Sequence, residues 1–298
     1  MLHDKKNQKI RNTDLSLIGV PFVDTIVLPS SDRSGDVIRS EILMGWGGVS
    51  NCQKLADSLG CTVFYLINDR LLPQFMNWIE TELARSYRVI DSNLVRHINA
   101  VVLADSISKT RKSYLSNVER TVITVSISEL KSYRKHLCFY IEDFCLNALS
   151  FCQEDDILLF DYNSNEGIVN WNDGGSHVAD NLYRADYIFC SDNELDGLMN
   201  YVSGVRKRFP LNVNLNKKVI VHSAKFICIK ELKIFGIDNL ECMEVMQIKN
   251  EWYTKEPKTV IGNGDRFALL FSSYIEKSSS ILEVVKATQK HLYNLLTT

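Results

Sequence analysis

Toward the end of the chain, Gly262-Asn263-Gly264-Asp265 sets two glycines, a carboxamide and a carboxylate directly ahead of a helical pattern. Large apolar residues follow at Phe267, Leu270, Phe271 and Tyr274, the i, i+3, i+4, i+7 rhythm of a helix with one buried face. A helix is therefore expected to start at or just after Asp265. The glycines leave its first N–H groups unscreened by side chains, and a helix N-terminus offers unpaired donors with positive dipole character. Such a nest favours an anion, phosphate above all. Asp265 at its lip can take a hydroxyl proton while the neighbouring N–H groups stabilise charge on a transferring phosphoryl group. The same four residues also read as plain capping chemistry, because Asp and Asn are common N-caps and Asn-Gly is a common turn.

The elements around this motif follow from the apolar runs. Leu15–Val20, Thr62–Ile67, Leu137–Ile141, Ile157–Asp161, Tyr187–Cys190 and Val219–His222 are short, apolar and bounded by polar residues, the pattern of strands buried on both faces. For Leu137–Cys152 a single helix is the alternative. The stretches between the later runs are long enough for crossover helices, so a mainly parallel sheet is expected. Two strand pairs stand apart: Thr25–Leu28 with Val37–Leu43 around Pro29–Gly35, and Ala100–Asp105 with Lys112–Leu115. Gly45-Trp46-Gly47-Gly48-Val49-Ser50-Asn51 leads into a helix over Cys52–Gly60 with a glycine stop, and residues 71–87 suit a surface helix.

Composition narrows the function classes. With 298 residues and 45% hydrophobic content the chain can bury a large core. A net charge of −2 gives no basic field for a nucleic-acid backbone. The Lys-rich start, Met1–Asp14, lacks an apolar core and no apolar run approaches ~18 residues, so neither a secretion signal nor a membrane span is expected and the chain reads as cytosolic. None of the eight cysteines forms Cys-x-x-Cys and the six histidines lack His-x-x-x-His spacing, which points to buried free thiols and away from structural metal. Cys138, Cys145 and Cys152 would share a helix face, but ~1.5 Å per residue keeps neighbours about 10 Å apart, too far for a disulfide.

Gly-Gly-x-x-Asn at Gly47, Gly48 and Asn51, followed about 200 residues later by Gly-x-Gly-Asp-x-Phe at Gly262–Phe267, resembles the signatures of the ribokinase-like (PfkB) sugar kinases. The resemblance runs from about Leu15 to Leu295. It implies an α/β fold of three layers, α/β/α, with a mainly parallel sheet and a small β lid built from residues 25–43 and 98–118, all within one domain over 14–298 behind a polar tail at 1–13. It also implies ATP-dependent phosphorylation of a sugar or sugar-like hydroxyl, with magnesium, and pairing of two copies through the lid. Asp265 then matches the base and Gly262, Asn263 and Gly264 the anion hole. Asp24, Gly47, Gly48 and Asn51 match the acceptor site, where a carboxylate accepts two hydroxyl hydrogen bonds at once. Asp161-x-Asn163 and Glu194 match positions near nucleotide and magnesium, Glu194 acting through water. Asp24 as a loop cap and Glu194 as a first-turn acid remain alternatives, and Trp46 can stack on a sugar or serve as a lid aromatic. Arg111 falls on the lid, where a solvated charge is the simpler reading.

The chain departs from the family at several places. Val49 and Gln53 replace small residues beside the acceptor, Asn165 stands where Arg is usual, and Ser191 replaces an Asn. His222-Ser-Ala-Lys-Phe-Ile227 replaces Thr-x-Gly-x-x-Gly, Thr259 and Val260 replace Asp and Thr, and Arg266 follows the base where small residues are common. A pseudokinase that binds sugar or serves as a scaffold, and a nucleoside kinase, are therefore the rival readings.

Overall fold

Each short apolar run folds as a strand, and the alternation of its side chains decides which layer it serves. The structure, a computed structural model, describes residues 15–29, 40–67, 87–91, 98–105, 110–116, 139–142, 157–162, 184–208, 215–223, 225–235, 239–250, 263–275, 277–278 and 280–297. One sheet has the order β1 (Ser16–Gly19), β4 (Thr62–Ile67), β5 (Tyr87–Asp91), all parallel. A second runs β13 (Asn239–Lys249), β12 (Phe226–Phe235), β11 (Leu215–His222), β10 (Tyr187–Ser191), β9 (Leu158–Asp161), β8 (Phe139–Glu142). Within it β8 to β11 are parallel and β12 and β13 antiparallel. Because β1 lies alongside β8, the two sheets abut and form the central layer.

Helices cover both faces of that layer. On one face Leu17, Val63, Tyr65, Leu159, Phe189, Ile220 and Ile227 join Val49 and residues of α1 (Gln53–Leu59), α3 (Asn263–Ile275) and α4 (Ile281–Thr297) in one core. On the other, α2 (Leu195–Arg208) buries Leu198, Tyr201 and Val202, and the Tyr201 ring lies 5.2 Å from that of Tyr162. Burying an aliphatic or Phe side chain contributes roughly 1.5–3 kcal/mol, so α3, with six successive buried residues from Phe267 to Ser272, is firmly seated. Phe271 adds T-shaped contacts to Phe189 at 5.2 Å and Tyr187 at 5.3 Å, each about 0.5–1.5 kcal/mol beyond area burial. The start of α3 is thus fixed against β10.

A small four-stranded sheet, order β3-β2-β6-β7, is assembled from two separated stretches: β2 (Pro21–Pro29) with β3 (Ser40–Gly48), and β6 (Ile98–Asp105) with β7 (Thr110–Ser116). The register puts Thr25, Val27, Ile42, Val101, Leu103 and Tyr114 on one face. Ile42, Val101, Leu103 and Tyr114 are exposed there, whereas Asp24 on the opposite face is buried.

Several expectations are corrected. Pro21–Asp24 is no turn: β2 begins at Pro21, and Asp24 lies in mid-strand opposite Gly45. Gly45–Gly48 continues β3, and a 3-10 turn, Val49–Cys52, leads into α1. α3 begins at Asn263, two residues before Asp265, because Gly264 is accommodated inside its first turn. Residues 139–142 form a strand, so a single helix over 137–152 is ruled out. β5 goes unmarked in the sequence because Arg88 and Asp91 interrupt its apolar pattern. The expected helix over 71–87 lies outside the described residues up to 86, as do Cys138, Cys145 and Cys152. Among the described residues Cys52, Cys61, Cys190, Cys228 and Cys242 are free thiols, and burial pushes Cys61 up to about 12. Gly60 ends α1 in the left-handed region at φ 74°, as expected of a glycine stop.

Gln53 and Val49, the two departures beside the expected acceptor site, face the core. The Val49 side chain packs on Gly19. Gln53 is fully buried, accepts 2.7 Å from the Tyr65 hydroxyl and donates 3.0 Å to Asp57. Losing one partner of a buried polar pair costs about 1–3 kcal/mol, so Gln53→Ala is expected to lower the denaturant midpoint by that stability at unchanged m-value. A midpoint within error of the parent would mean the pair contributes nothing.

Candidate functional site

The carboxyl ends of β9, β10 and β11 and the start of α3 meet at one edge of the central sheet, the edge where α/β folds open their ligand crevice. At the start of α3, Asp265 is the third residue of the helix and half-buried. It is a first-turn acid and not the N-cap, a place where a carboxylate complements the helix dipole. Its Oδ2 accepts a 2.9 Å hydrogen bond from Nδ2 of Asn51, 214 residues earlier. Asn51 sits in the 3-10 turn that β3 feeds, so the glycine-rich strand and the start of α3 are joined side chain to side chain. An amide donor on one carboxylate oxygen fixes the plane of the group.

Two glycines are explained by what stands on them. A Cβ at Gly47 would lie 2.2 Å from Oδ1 of Asp24, so the buried Asp24 carboxylate rests directly on the Gly47 backbone. A Cβ at Gly264 would lie 2.8 Å from Cε1 of His222. The His222 ring, at the carboxyl end of β11, therefore packs on the second residue of α3, with its centroid 6.3 Å from that of Phe267. Gly48 ends β3. Gly262 and Asn163 lie outside the described residues. Asn263 is the first residue of α3, and its Oδ1 accepts 3.3 Å from Nη1 of Arg266, which holds the guanidinium over the first turn.

Glu194 lies in the turn between β10 and α2. Its carbonyl accepts from Leu198 N–H at 2.8 Å, and its Oε2 accepts from Ser191 N–H at 2.6 Å. It thus ties the strand end to the helix start from the turn just ahead of α2, whose first-turn acid is Asp196 and not Glu194. Asp161 is buried at the end of β9. Burial raises the Cys190 thiol far above its ordinary value, and the charges of Glu194 and Asp161 add to the rise. Magnesium keeps most of its waters and takes one or two carboxylates plus substrate phosphates. Glu194 and Asp161 suit that outer role, and among the described residues no group of three His, Cys, Asp or Glu forms a direct metal cage.

The β11–β12 turn holds residues that the sequence reading passed over. Ser223 N–H donates to Phe226 O at 2.9 Å, and Ser223 Oγ accepts from the N–H groups of Lys225 and Phe226. Asn250, fully buried, donates 2.8 Å to Ser223 O and accepts 2.7 Å from Gln289 of α4. Ile227, which replaces a family glycine, points into the core. A polar residue closing an apolar strand was the available signal for His222. Asn250 and Gln289 had none, being 39 residues apart.

No family model and no curated protein matches the sequence. Solved structures do match the fold. A microbiome-derived acarbose kinase superposes with a TM-score of 0.61 at 15% identity, over 96% of this chain and 93% of that one. Ribokinase from Thermotoga maritima gives 0.55 at 14%, over 95% and 93%. Adenosine kinase from Schistosoma mansoni, in complex with 2-fluoroadenosine, gives 0.56 at 13%, over 96% and 95%. The chain has the ribokinase fold, and its structural neighbours are sugar and nucleoside kinases.

Proposed function

We propose that the protein is an ATP-dependent phosphotransferase acting on a hydroxyl of a sugar or sugar-like acceptor. The observation that carries this reading is the Asn51–Asp265 hydrogen bond, which brings the glycine-rich acceptor motif to the carboxylate of the anion nest. Asp24, seated on Gly47, and Asn51 hold the acceptor, with Gly48 leaving the backbone open to it. Asp265 takes the acceptor hydroxyl proton as its oxygen attacks the γ-phosphorus, and the bond to the β–γ bridging oxygen breaks to release ADP. The N–H groups at Gly262–Gly264 stabilise the charge on the transferring group. Glu194 and Asp161 would hold magnesium through water, where it would neutralise charge on the phosphates, and Asn163 would lie on the nucleotide side. The pseudokinase reading loses one support, since Ile227 is buried in the core and does not crowd a nucleotide. A nucleoside acceptor stays the second reading, favoured by the adenosine-kinase neighbour.

The exposed row Ile42, Val101, Leu103 and Tyr114 lies on the outer face of the small sheet. Apolar side chains in two adjacent cross-strand rows suit an isologous contact with a second copy. Light scattering is expected to give the mass of a dimer, and Val101→Glu the mass of a monomer.

Asp265→Asn is expected to reduce acceptor-dependent ADP release by about 10²-fold or more, since the amide cannot take a proton. The assay is a panel of sugars and nucleosides with ATP-magnesium. Unchanged turnover would remove Asp265 from the chemistry. Gly47→Ala is expected to push the Asp24 carboxylate away and weaken acceptor binding more than tenfold, the loss of a charged hydrogen bond being about 1.5–3 kcal/mol. Calorimetry showing nucleotide affinity reduced and acceptor affinity intact would place Asp24 on the wrong side of the site.

A further inference from the structure

The Asn51 amide orients the Asp265 carboxylate across 214 residues of chain, so the position of the turn that carries Asn51 decides whether it reaches. That turn has little to hold it locally. α1, which it feeds, is seven residues long, a length at which an isolated helix is marginal in water, and its N-cap Cys52 makes no side-chain capping bond. Two contacts with the central layer hold it instead. Ahead of Asn51, the buried Val49 packs on Gly19 at the end of β1, its Cβ 3.0 Å from where a glycine Cβ would stand. Beyond Asn51, Gln53 opens α1 and is fully buried against Tyr65 of β4. The Tyr65 hydroxyl donates 2.7 Å to Gln53 Oε1, and Gln53 Nε2 donates 3.0 Å to Asp57 Oδ1 one turn along. Burial holds the Tyr65 phenol far above its ordinary range, so it stays a donor. The reversed amide would set its oxygen against the Asp57 carboxylate, so Gln53 keeps one orientation. A polar side chain taken wholly out of water costs free energy that an apolar one of similar size does not. What it adds is direction.

We infer that Gln53 and Tyr65 are positioning residues for Asp265, acting through Asn51: the pair sets the turn from which the Asn51 amide reaches the carboxylate. This rests on the kinase reading above, in which Asp265 is the base. Both side chains are fully buried behind the turn, so neither meets a ligand. Their effect is on geometry alone, and a displacement of about 1 Å at a reacting group is enough to slow turnover severely.

The test uses the full chain with Tyr65→Phe, Gln53→Met, which keeps the volume and removes both hydrogen bonds, and Val202→Ala, a control that loosens the core on the far face of the sheet. Melting temperatures report folding, and if Gln53→Met is unfolded Tyr65→Phe decides. The first arm labels asparagine side chains with ¹⁵N, identifies the Asn51 signal by its loss in Asn51→Ala, and reads its proton exchange with solvent. Exchange is expected to quicken by about tenfold in Tyr65→Phe and Gln53→Met, as loss of a held hydrogen bond implies, and to stay at the parent rate in Val202→Ala. The second arm measures ADP release from ATP-magnesium with whichever member of the sugar and nucleoside panel the parent uses fastest. Each variant of the pair is expected to lower kcat by about tenfold with KM for ATP within about twofold. Added to Asn51→Ala, neither is expected to slow turnover further, because the pair acts through Asn51. Losses that multiply in the double variants, or Asn51 exchange at the parent rate in every folded variant, would overturn the positioning role and leave the kinase reading standing. A parent that releases no ADP with any panel member would sink both.

Discussion

The geometry of the site depends on the seating of α3. Phe267 and Phe271 lock the helix against Phe189 and Tyr187 of β10, and Ala268 to Leu270 sink into the same core. Apolar burial has no direction of its own, but the T-shaped ring contacts do, and they set how far the helix start projects past the strand ends. Asp265 and Gly264 inherit that position. The Asn51 amide can reach Asp265, and the His222 ring can lie on Gly264, only because the aromatic anchor has placed the helix there.

A second dependence runs through the glycines. Gly47 and Gly264 are each a floor for a polar side chain from another strand, Asp24 in one case and His222 in the other. A Cβ at either place would lie under 3.0 Å from the side chain above it, so the atoms with the most chemistry would be the ones displaced. The requirement for glycine here is one of close approach, which differs from Gly60, where a left-handed φ of 74° sets it.

The buried strands, the glycine-stopped helix and the helix that carries Phe267 and Phe271 were legible because each rests on local pattern: strand runs, a C-cap and one buried face. Strand boundaries around Asp24 were not, since Pro21 and Asp24 look like a turn and only pairing to β3 and β6 makes them strand. Gly45–Gly48 was read as the glycine-rich entry to a helix, and only its pairing to β2 makes it strand. The start of α3 was misplaced by two residues because glycine is a poor helix former, and the tertiary seat of the helix overrides that preference. The Asn51–Asp265 contact joins positions 214 residues apart and had no local signal at all.

Departures from a motif are informative only once their direction in space is known. Gln53 looked like an obstruction in the acceptor site, but it is a buried polar residue whose amide is answered by Tyr65 and Asp57. Ile227 looked like crowding at the nucleotide, but alternation along β12 turns it into the core while its neighbours Phe226 and Cys228 face the other way. His222 and Arg266 differ in kind, because their side chains stand half-exposed at the start of α3, His222 on Gly264 and Arg266 on Asn263. The substitutions thus fall into two sets, those absorbed by packing and those that change which groups can hold a ligand.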